Sequence, residues 1–500
     1  MSKKTDRPNV LVFFTDQQRG DTIGALGNPV IRTPNIDRLV REGTAFRRAY
    51  TASPVCVSAR CSTIYGQYPM HTGCYDNTIM PQDERTSYMG ALTEAGYRTH
   101  GIGKCHFTPV RDALRGFQTR ERQEELVRDP DTDDDFLPWL RANGFDHLTD
   151  PHGVRGEMYY VPQPAQMPAK YHPTQWIGDR AVSFVTDSER NQQPWYLFTS
   201  FIHPHPPFAP PAPWHKLYRA PLMPLPKVPP DHEALQLHIN RIQNRYKYRD
   251  QGIDQNLMRN MKAHYYACVS FIDYQVGRVL DALEETGQLD NTLIMYLSDH
   301  GEYLGDYECF GKRGMHDSAS RVPMIARMPG LFEAGAVVDE PTSLVDVAPT
   351  ILAATGARID DHALDGIDLT TVAAGKADRP GVLSQFNDGP NAVYMLVTKR
   401  WKYIYSAPDD RELLFDAVED AGETRYKAHA PFIHNVTKSL RRQLVEMLRA
   451  GGEEAAVDGN DFCKYPRQTM PTDPDEGLLI QDAPWQNIDL PGYSDTIRYE

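Results

Sequence analysis

Asn9-Val10-Leu11-Val12-Phe13-Phe14-Thr15-Asp16-Gln17 is an unbroken apolar, β-branched and aromatic run that stops at two polar residues. A strand with one wet face would alternate; this one reads as a parallel strand buried on both faces. Its polar pair then lies at the C-terminal edge of the sheet, where ligand sites of α/β proteins gather. The next element supports that class. Thr33-Pro34-Asn35-Ile36-Asp37 starts a helix with Thr33 as N-cap and Pro34 at the first helical position, and Gly43 stops it.

The alternation continues along the chain. Tyr88 to Ala95 reads as helix, Tyr97 to Ile102 as strand, Asp179 to Asp187 as helix and Trp195 to Ile202 as strand. Leu257 to Glu285 is long and helically periodic, and Asn291 to Ser298 is a second apolar strand, ending in Asp299-His300-Gly301-Glu302. Pro204 to Pro230 is too rich in proline for regular structure and is expected to wall the site. Past the helical stretch Val345 to Ala354, Ala392 to Tyr405 alternates, Arg411 to Asp416 looks like its partner strand, and Val436 to Leu448 like a covering helix.

Five hundred residues exceed what one small core needs. The expectation is an α/β fold with a large, mostly parallel sheet flanked by helices over residues 1–380. A smaller C-terminal subdomain with a short antiparallel sheet covers 381–451. The acidic, proline-containing extension 452–500 reads as an arm for a second subunit, so a homo-oligomer is expected. No apolar run is long enough for a signal-peptide core or a membrane span. Seven cysteines form no CxxC pair, and an odd number cannot all be bridged within one chain. A cytoplasmic protein with reduced thiols and no membrane partner follows. A net charge of −14 repels a phosphate backbone, which argues against nucleic acid. An anionic substrate therefore needs a local cationic pocket.

A divalent cation wants oxygen ligands, and the strand ends Asp16-Gln17 and Asp299-His300 could converge on one ion, His300 adding a nitrogen. Taken singly, an Asp at a strand end is more often a helix cap or salt-bridge partner, a lone Lys a solvated charge and a lone His a hydrogen-bonded structural residue. His71, His203, His264 and His316 receive no role on that ground. Cys61, Cys74 and Cys309 read as packing residues, and the acidic runs at 131–135 and 473–476 as solvated loops.

Pro54-Val55-Cys56-Val57-Ser58-Ala59-Arg60-Cys61-Ser62-Thr63-Ile64-Tyr65-Gly66 resembles the sulfatase signature. That signature runs Cys or Ser, any residue, Pro or Ala, Ser or Ala, then Arg, with Gly six positions later. Cys56, Ala59, Arg60 and Gly66 fit; Ser58 departs from it. Further segments match in order: Gly103-Lys104-Cys105-His106, with Cys105 replacing an aromatic; Pro204-His205-Pro206-Pro207; Ser298-Asp299-His300-Gly301-Glu302; Gly311-Lys312; and Arg321-Val322-Pro323. Within the wider alkaline phosphatase superfamily, Asp16-Gln17 and Asn77 are similar to the phosphonate monoester hydrolase branch, whereas Lys104 and His106 follow the sulfatases.

The resemblance implies an alkaline phosphatase/sulfatase-like fold and hydrolysis of small-molecule sulfate monoesters, arylsulfatase-like. It also implies formylglycine (3-oxoalanine) made from Cys56 by a formylglycine-generating enzyme. Asp16, Gln17, Cys56, Asp299 and His300 would hold one divalent ion, calcium first and manganese second. Asn77, Lys104, His205 and Lys312 would bind substrate; Arg60 would orient the nucleophile, Asp299 accept its proton, His205 with Lys312 protonate the leaving group, and His106 act in release of sulfate. Two alternatives stay open: phosphonate monoester or phosphodiester hydrolysis at the same site, and an unconverted, catalytically silent anion-binding protein if Ser58 blocks the modification.

Overall fold

A computed structural model describes residues 7–125, 134–155, 158–187, 193–247, 254–425 and 433–472. Eight strands form the main sheet: β1 (Asn9–Asp16), β2 (Thr44–Phe46), β3 (Arg98–Gly103), β4 (Thr119–Arg122), β5 (Trp195–Pro204), β6 (Thr292–Ser298), β7 (Met324–Arg327) and β8 (Ala336–Val338). Their order is β8-β2-β7-β6-β1-β5-β3-β4. β7 runs antiparallel to both neighbours, and the other pairings are parallel.

β1 is buried along its whole length, and its two faces enter different cores. Val10, Val12 and Phe14 pack with Val57, Ala59 and Ile64. Leu11 and Phe13 pack with Leu39, Ile177 and Ile272 on the other face. Apolar side chains on both faces of one strand are the signature of a sheet covered by helices on each side. The covering helices are α1 (Pro34–Glu42), α2 (Cys56–Tyr65), α3 (Pro173–Thr186) and α4 (Gln255–Glu285).

Two helix starts differ from expectation for physical reasons. Thr33 occupies the N-cap of α1, but its hydroxyl oxygen accepts from Gly24 N–H at 2.9 Å. The free amides of Asn35 and Ile36 instead donate to Asp273 from α4, at 3.0 and 2.7 Å. Helix α3 begins at Pro173 rather than Asp179 because His172 Nδ1 accepts from Thr174 N–H at 3.2 Å, capping the earlier turn.

The C-terminal subdomain is a four-stranded antiparallel sheet: β9 (Val382–Phe386), β10 (Val393–Val397), β11 (Trp401–Ser406) and β12 (Arg411–Asp416). The alternating stretch 392–405 is thus a hairpin of two strands. One face packs on α5 (His434–Ala450) through Leu440, Leu444 and Leu448; the other packs on Tyr303, Tyr307 and Met315 of the catalytic domain. Beyond α5 the chain folds back, and Phe462 stacks on Tyr405 at 3.9 Å between ring centroids. The acidic run at 473–476, part of the run at 131–135 and the remainder of the 452–500 extension lie outside the described residues. Among the described residues, no helix is long and apolar enough to cross a membrane.

Candidate active site

The strand order explains why the separated motifs meet. β6, β1, β5 and β3 are consecutive and parallel, so their C-terminal ends lie on one edge. Those ends deliver Asp299 and His300, Asp16 and Gln17, His205, and Lys104. Thr15 is in register with Ser298, which sets Asp16 and Asp299 side by side. At the end of β3, Gly103 has φ +89°, and a Cβ there would lie 2.0 Å from Ser200 O; only glycine lets the backbone turn here to present Lys104. Gln17 also adopts a left-handed φ of 66° as the chain leaves β1.

Cys56 is the first residue of α2, a helix buried along its whole length and closed by Gly66 in the left-handed region. Cys56 Sγ lies 2.9 Å from Lys312 Nζ, 3.2 Å from His300 Nε2 and 3.6 Å from Asp16 Oδ1. Asp16, Cys56, Asp299 and His300 each place one ligand atom within 4.8 Å of the others, and all four residues are buried. His300 Nδ1 faces the Gly301 carbonyl at 3.0 Å, so that nitrogen carries the proton and Nε2 turns its lone pair to the cluster.

Arg60 spans the carboxylates rather than contacting the nucleophile directly. Its guanidinium donates to Asp299 at 3.0 Å, Asp16 at 3.2 Å, Ser200 Oγ at 3.0 Å and the Lys104 carbonyl. Burial pushes the Asp299 carboxyl up to about 6, with the charge of Asp16 acting in the same direction. Burial also opposes ionisation of Asp16, but Lys104, His205, Arg60 and Lys312 outweigh it and hold that carboxyl well below its usual range. The Cys56 thiol meets burial and Asp16, which oppose ionisation, and Lys312, Lys104 and His300, which prevail and lower it.

This donor set fits a divalent cation. His300 Nε2 lies 3.7 Å from Asp16 Oδ1 and 3.7 Å from Asp299 Oδ1, the spacing of neighbouring ligands around an ion bonded at roughly 2.1–2.6 Å. Two buried carboxylates competing for ionisation gain from such a charge. Gln17, next to Asp16, has its amide oxygen 3.0 Å from Lys312 Nζ, the ammonium that also meets Cys56 Sγ at 2.9 Å, and its amide nitrogen donates to Glu302.

Asn77 is exposed and caps α2, its Oδ1 accepting from Val57 N–H at 2.9 Å. His106 takes a left-handed φ of 55°, its N–H donates to Glu124, and its Nδ1 is buried without a hydrogen-bond partner among the described residues. His205 Nδ1 faces the Pro206 carbonyl at 2.7 Å, and burial lowers this imidazole to about 4. Ser58, the departure from the signature, donates its hydroxyl to the Cys74 carbonyl and so anchors the first turn of α2.

Three acidic or basic residues that sequence reasoning left without a role join the cluster. Glu125 lies 2.6 Å from Lys104 Nζ, 3.3 Å from His205 Nδ1 and 2.9 Å from Arg155 Nη2. Glu302 is buried and accepts from Tyr160 OH at 2.8 Å besides Gln17. Glu125 and Arg155 come from loops that follow no motif, so no sequence signal marks them; Glu302 sits inside the Asp299 motif, which does.

Comparison with known proteins agrees with this geometry. The sulfatase family model matches residues 8–357, and that of the N-sulphoglucosamine sulphohydrolase C-terminal region matches 305–450. An arylsulfatase of Clostridium perfringens (strain 13 / Type A) is 29% identical over 93% of this chain and 99% of its own. A choline-sulfatase of Rhizobium meliloti (strain 1021) is 30% identical over 85% of this chain and 83% of its own. The crystal structure of a phosphonate monoester hydrolase of Agrobacterium radiobacter superposes with a TM-score of 0.77 at 25% identity, over 92% of this chain and 100% of that one. The strand-edge cluster, the Cys56 helix and the family match over most of the chain agree: the protein belongs to the sulfatase family, within the alkaline phosphatase superfamily.

Proposed function

We propose that this protein hydrolyses sulfate monoesters, with an aryl or other small-molecule leaving group, after Cys56 has been converted to formylglycine. The observation that supports this reading is the convergence of Cys56 with Asp16, Asp299 and His300 under the ammonium groups of Lys104 and Lys312. A sulfate ester is a tetrahedral anion whose cleavage builds negative charge on sulfonyl and leaving-group oxygens, and cations fixed in a buried site stabilise that charge.

In the Cys56 position, Sγ stands in for an oxygen of hydrated formylglycine. Asp16, Gln17, Asp299, His300 and that residue would hold the ion, which would supply a positive charge favouring the ionised form of the attacking hydroxyl. Calcium wants six to eight oxygen donors. Asp16, Gln17 and Asp299 offer side-chain oxygens, so we favour calcium, with the His300 nitrogen making manganese the second choice. Arg60 fixes both carboxylates in place. Lys104 and Lys312 would bind the sulfonyl oxygens, with Asn77 at the α2 N-terminus beside them. Asp299, the carboxyl that burial raises, would take the proton of the attacking hydroxyl. Lys312 with His205 would protonate the departing oxygen, and His106 would accept a proton as sulfate leaves.

The partners of this reading are a sulfate ester and a formylglycine-generating enzyme. Seven unpaired cysteines, six of them buried, favour the cytoplasm. We read residues 1–380 and 381–451 as catalytic domain and subdomain, and 452–500 as a segment joining copies in a homo-oligomer.

A second reading is hydrolysis of phosphonate monoesters or phosphodiesters, favoured by Gln17 beside Asp16 and by the phosphonate monoester hydrolase likeness. The kcat/KM for 4-nitrophenyl sulfate and for the 4-nitrophenyl ester of phenylphosphonate separates them. The proposal expects the sulfate to be turned over faster; the reverse order moves the assignment to the second reading, and turnover of neither refutes both.

A further inference from the structure

We propose that Glu125 sets the charge of the ester this site accepts, restricting it to monoanions and turning away dianionic phosphate monoesters. The inference rests on the sulfate-ester reading and names the substrate class within it.

Lys104 is buried between two carboxylates, 2.7 Å from Asp16 and 2.6 Å from Glu125, so its charge is matched twice before substrate arrives. Asp16 is accounted for by the ion cluster. Glu125 is not: it pairs with the same Lys104 ammonium, is 9% exposed, and has a second cation, Arg155, at 2.9 Å. Binding a monoanion does not require a buried carboxylate behind the substrate lysine, and burying one is costly unless it is paired. Arg155 provides that pairing. Arg60, Lys104, Arg155 and Lys312 then stand with Asp16, Asp299, Glu125 and Glu302; without Glu125 the same four cations would stand with three carboxylates.

Sulfate monoesters, phosphonate monoesters and phosphodiesters each carry one negative charge. A phosphate monoester carries two above its second pKa near 6. In a site shielded from water, the repulsion from a fixed carboxylate doubles with the second charge and is screened little. Glu125 thus costs a dianion more than a monoanion of the same shape. Arg155 acts in the opposite sense, partly cancelling Glu125 and keeping the pocket able to hold one charge.

The test compares 4-nitrophenyl phosphate with 4-nitrophenyl sulfate at pH 8, together with inhibition by inorganic phosphate. In Glu125→Gln the phosphate-to-sulfate ratio of kcat/KM is expected to rise about tenfold or more, and phosphate inhibition to tighten by a similar factor. In Arg155→Gln, where Glu125 keeps Lys104 but loses its second cation, the ratio is expected to fall and inhibition to weaken. Opposite shifts in the two variants are something that loss of folding or of side-chain placement does not produce. A ratio that stays within about twofold in Glu125→Gln, or that moves the same way in both variants, overturns the proposal. If the wild-type protein turns over neither ester, the sulfate-ester reading fails on its own, and the dissociation constants of inorganic phosphate for the wild type and the two variants, measured by calorimetry, still decide the role of Glu125.

Discussion

Arg60→Met removes the guanidinium that donates to both carboxylates of the proposed ion site while keeping an apolar stem to pack near the Phe14 ring, over which the guanidinium sits at 5.0 Å. Arg60 is 2% exposed, so none of its four acceptors can turn to water when it is lost. Asp16 keeps Lys104 at 2.7 Å, but Asp299 is left with backbone donors from Gln17 and His300. Breaking a buried ion pair on one side costs about 3–5 kcal/mol. Because Asp299 can protonate, we expect the lower end, about 3 kcal/mol. Arg60→Lys restores a charge but not the planar fork, and should lose roughly 1–3 kcal/mol through unmet acceptors. Urea unfolding followed by tryptophan fluorescence measures both variants, and millimolar calcium should recover part of each loss by compensating the carboxylates. A loss below about 1 kcal/mol in Arg60→Met, or equal losses in the two variants, would refute the reasoning.

Chelation with EDTA should abolish aryl sulfate turnover and lower the melting temperature, and calcium, with manganese as second choice, should restore both; activity that persists in excess chelator contradicts the proposed ion site. A ligand at a hundred times its Kd stabilises by about 2.7 kcal/mol, which sets the scale of the thermal shift. Stability should also fall as pH drops below about 6.5, the unfolded pKa of histidine. Burial holds His172 well below that value and lowers His316 to about 3, so the unfolded chain binds these protons first. At pH 5.5 each should cost about 1.4 kcal/mol relative to pH 7.5. Replacing both by Asn should lessen that dependence by their share, with buried His152, His203 and His205 still contributing, and an unchanged slope would show that neither histidine is held neutral.

Much of the catalytic fold was legible because its strands and helices write their burial into local patterns. The unbroken run of β1 and the periodicity of α4 are readable without knowing any partner. Elements whose limits depend on a distant residue were not. The six extra residues of α3 follow from the side chain of His172, and the cap of α1 comes from Asp273, far away in the chain. β9 carries no pattern beyond a short apolar run and is defined by its pairing with β10.

The site divides the same way. Asp16, Cys56, Lys104, His205, Asp299, His300 and Lys312 sit at strand or helix ends within recognisable motifs, and the parallel order of β6, β1, β5 and β3 brings them together. Glu125 and Arg155 belong to irregular loops, where a charged residue looks the same whether it meets solvent or Lys104. Gln17 is adjacent in sequence to a ligand, yet its amide is turned to Lys312 and Glu302, an orientation that no spacing encodes.

The central claim is that Cys56 is the precursor of the nucleophile, and mass spectrometry of the peptide carrying it tests this most directly. The protein should be produced together with a formylglycine-generating enzyme and assayed on an aryl sulfate in the same preparation. Loss of two hydrogens and exchange of sulfur for oxygen are expected at Cys56, with activity proportional to the converted fraction. A fully active preparation whose Cys56 remains a thiol would contradict the central claim.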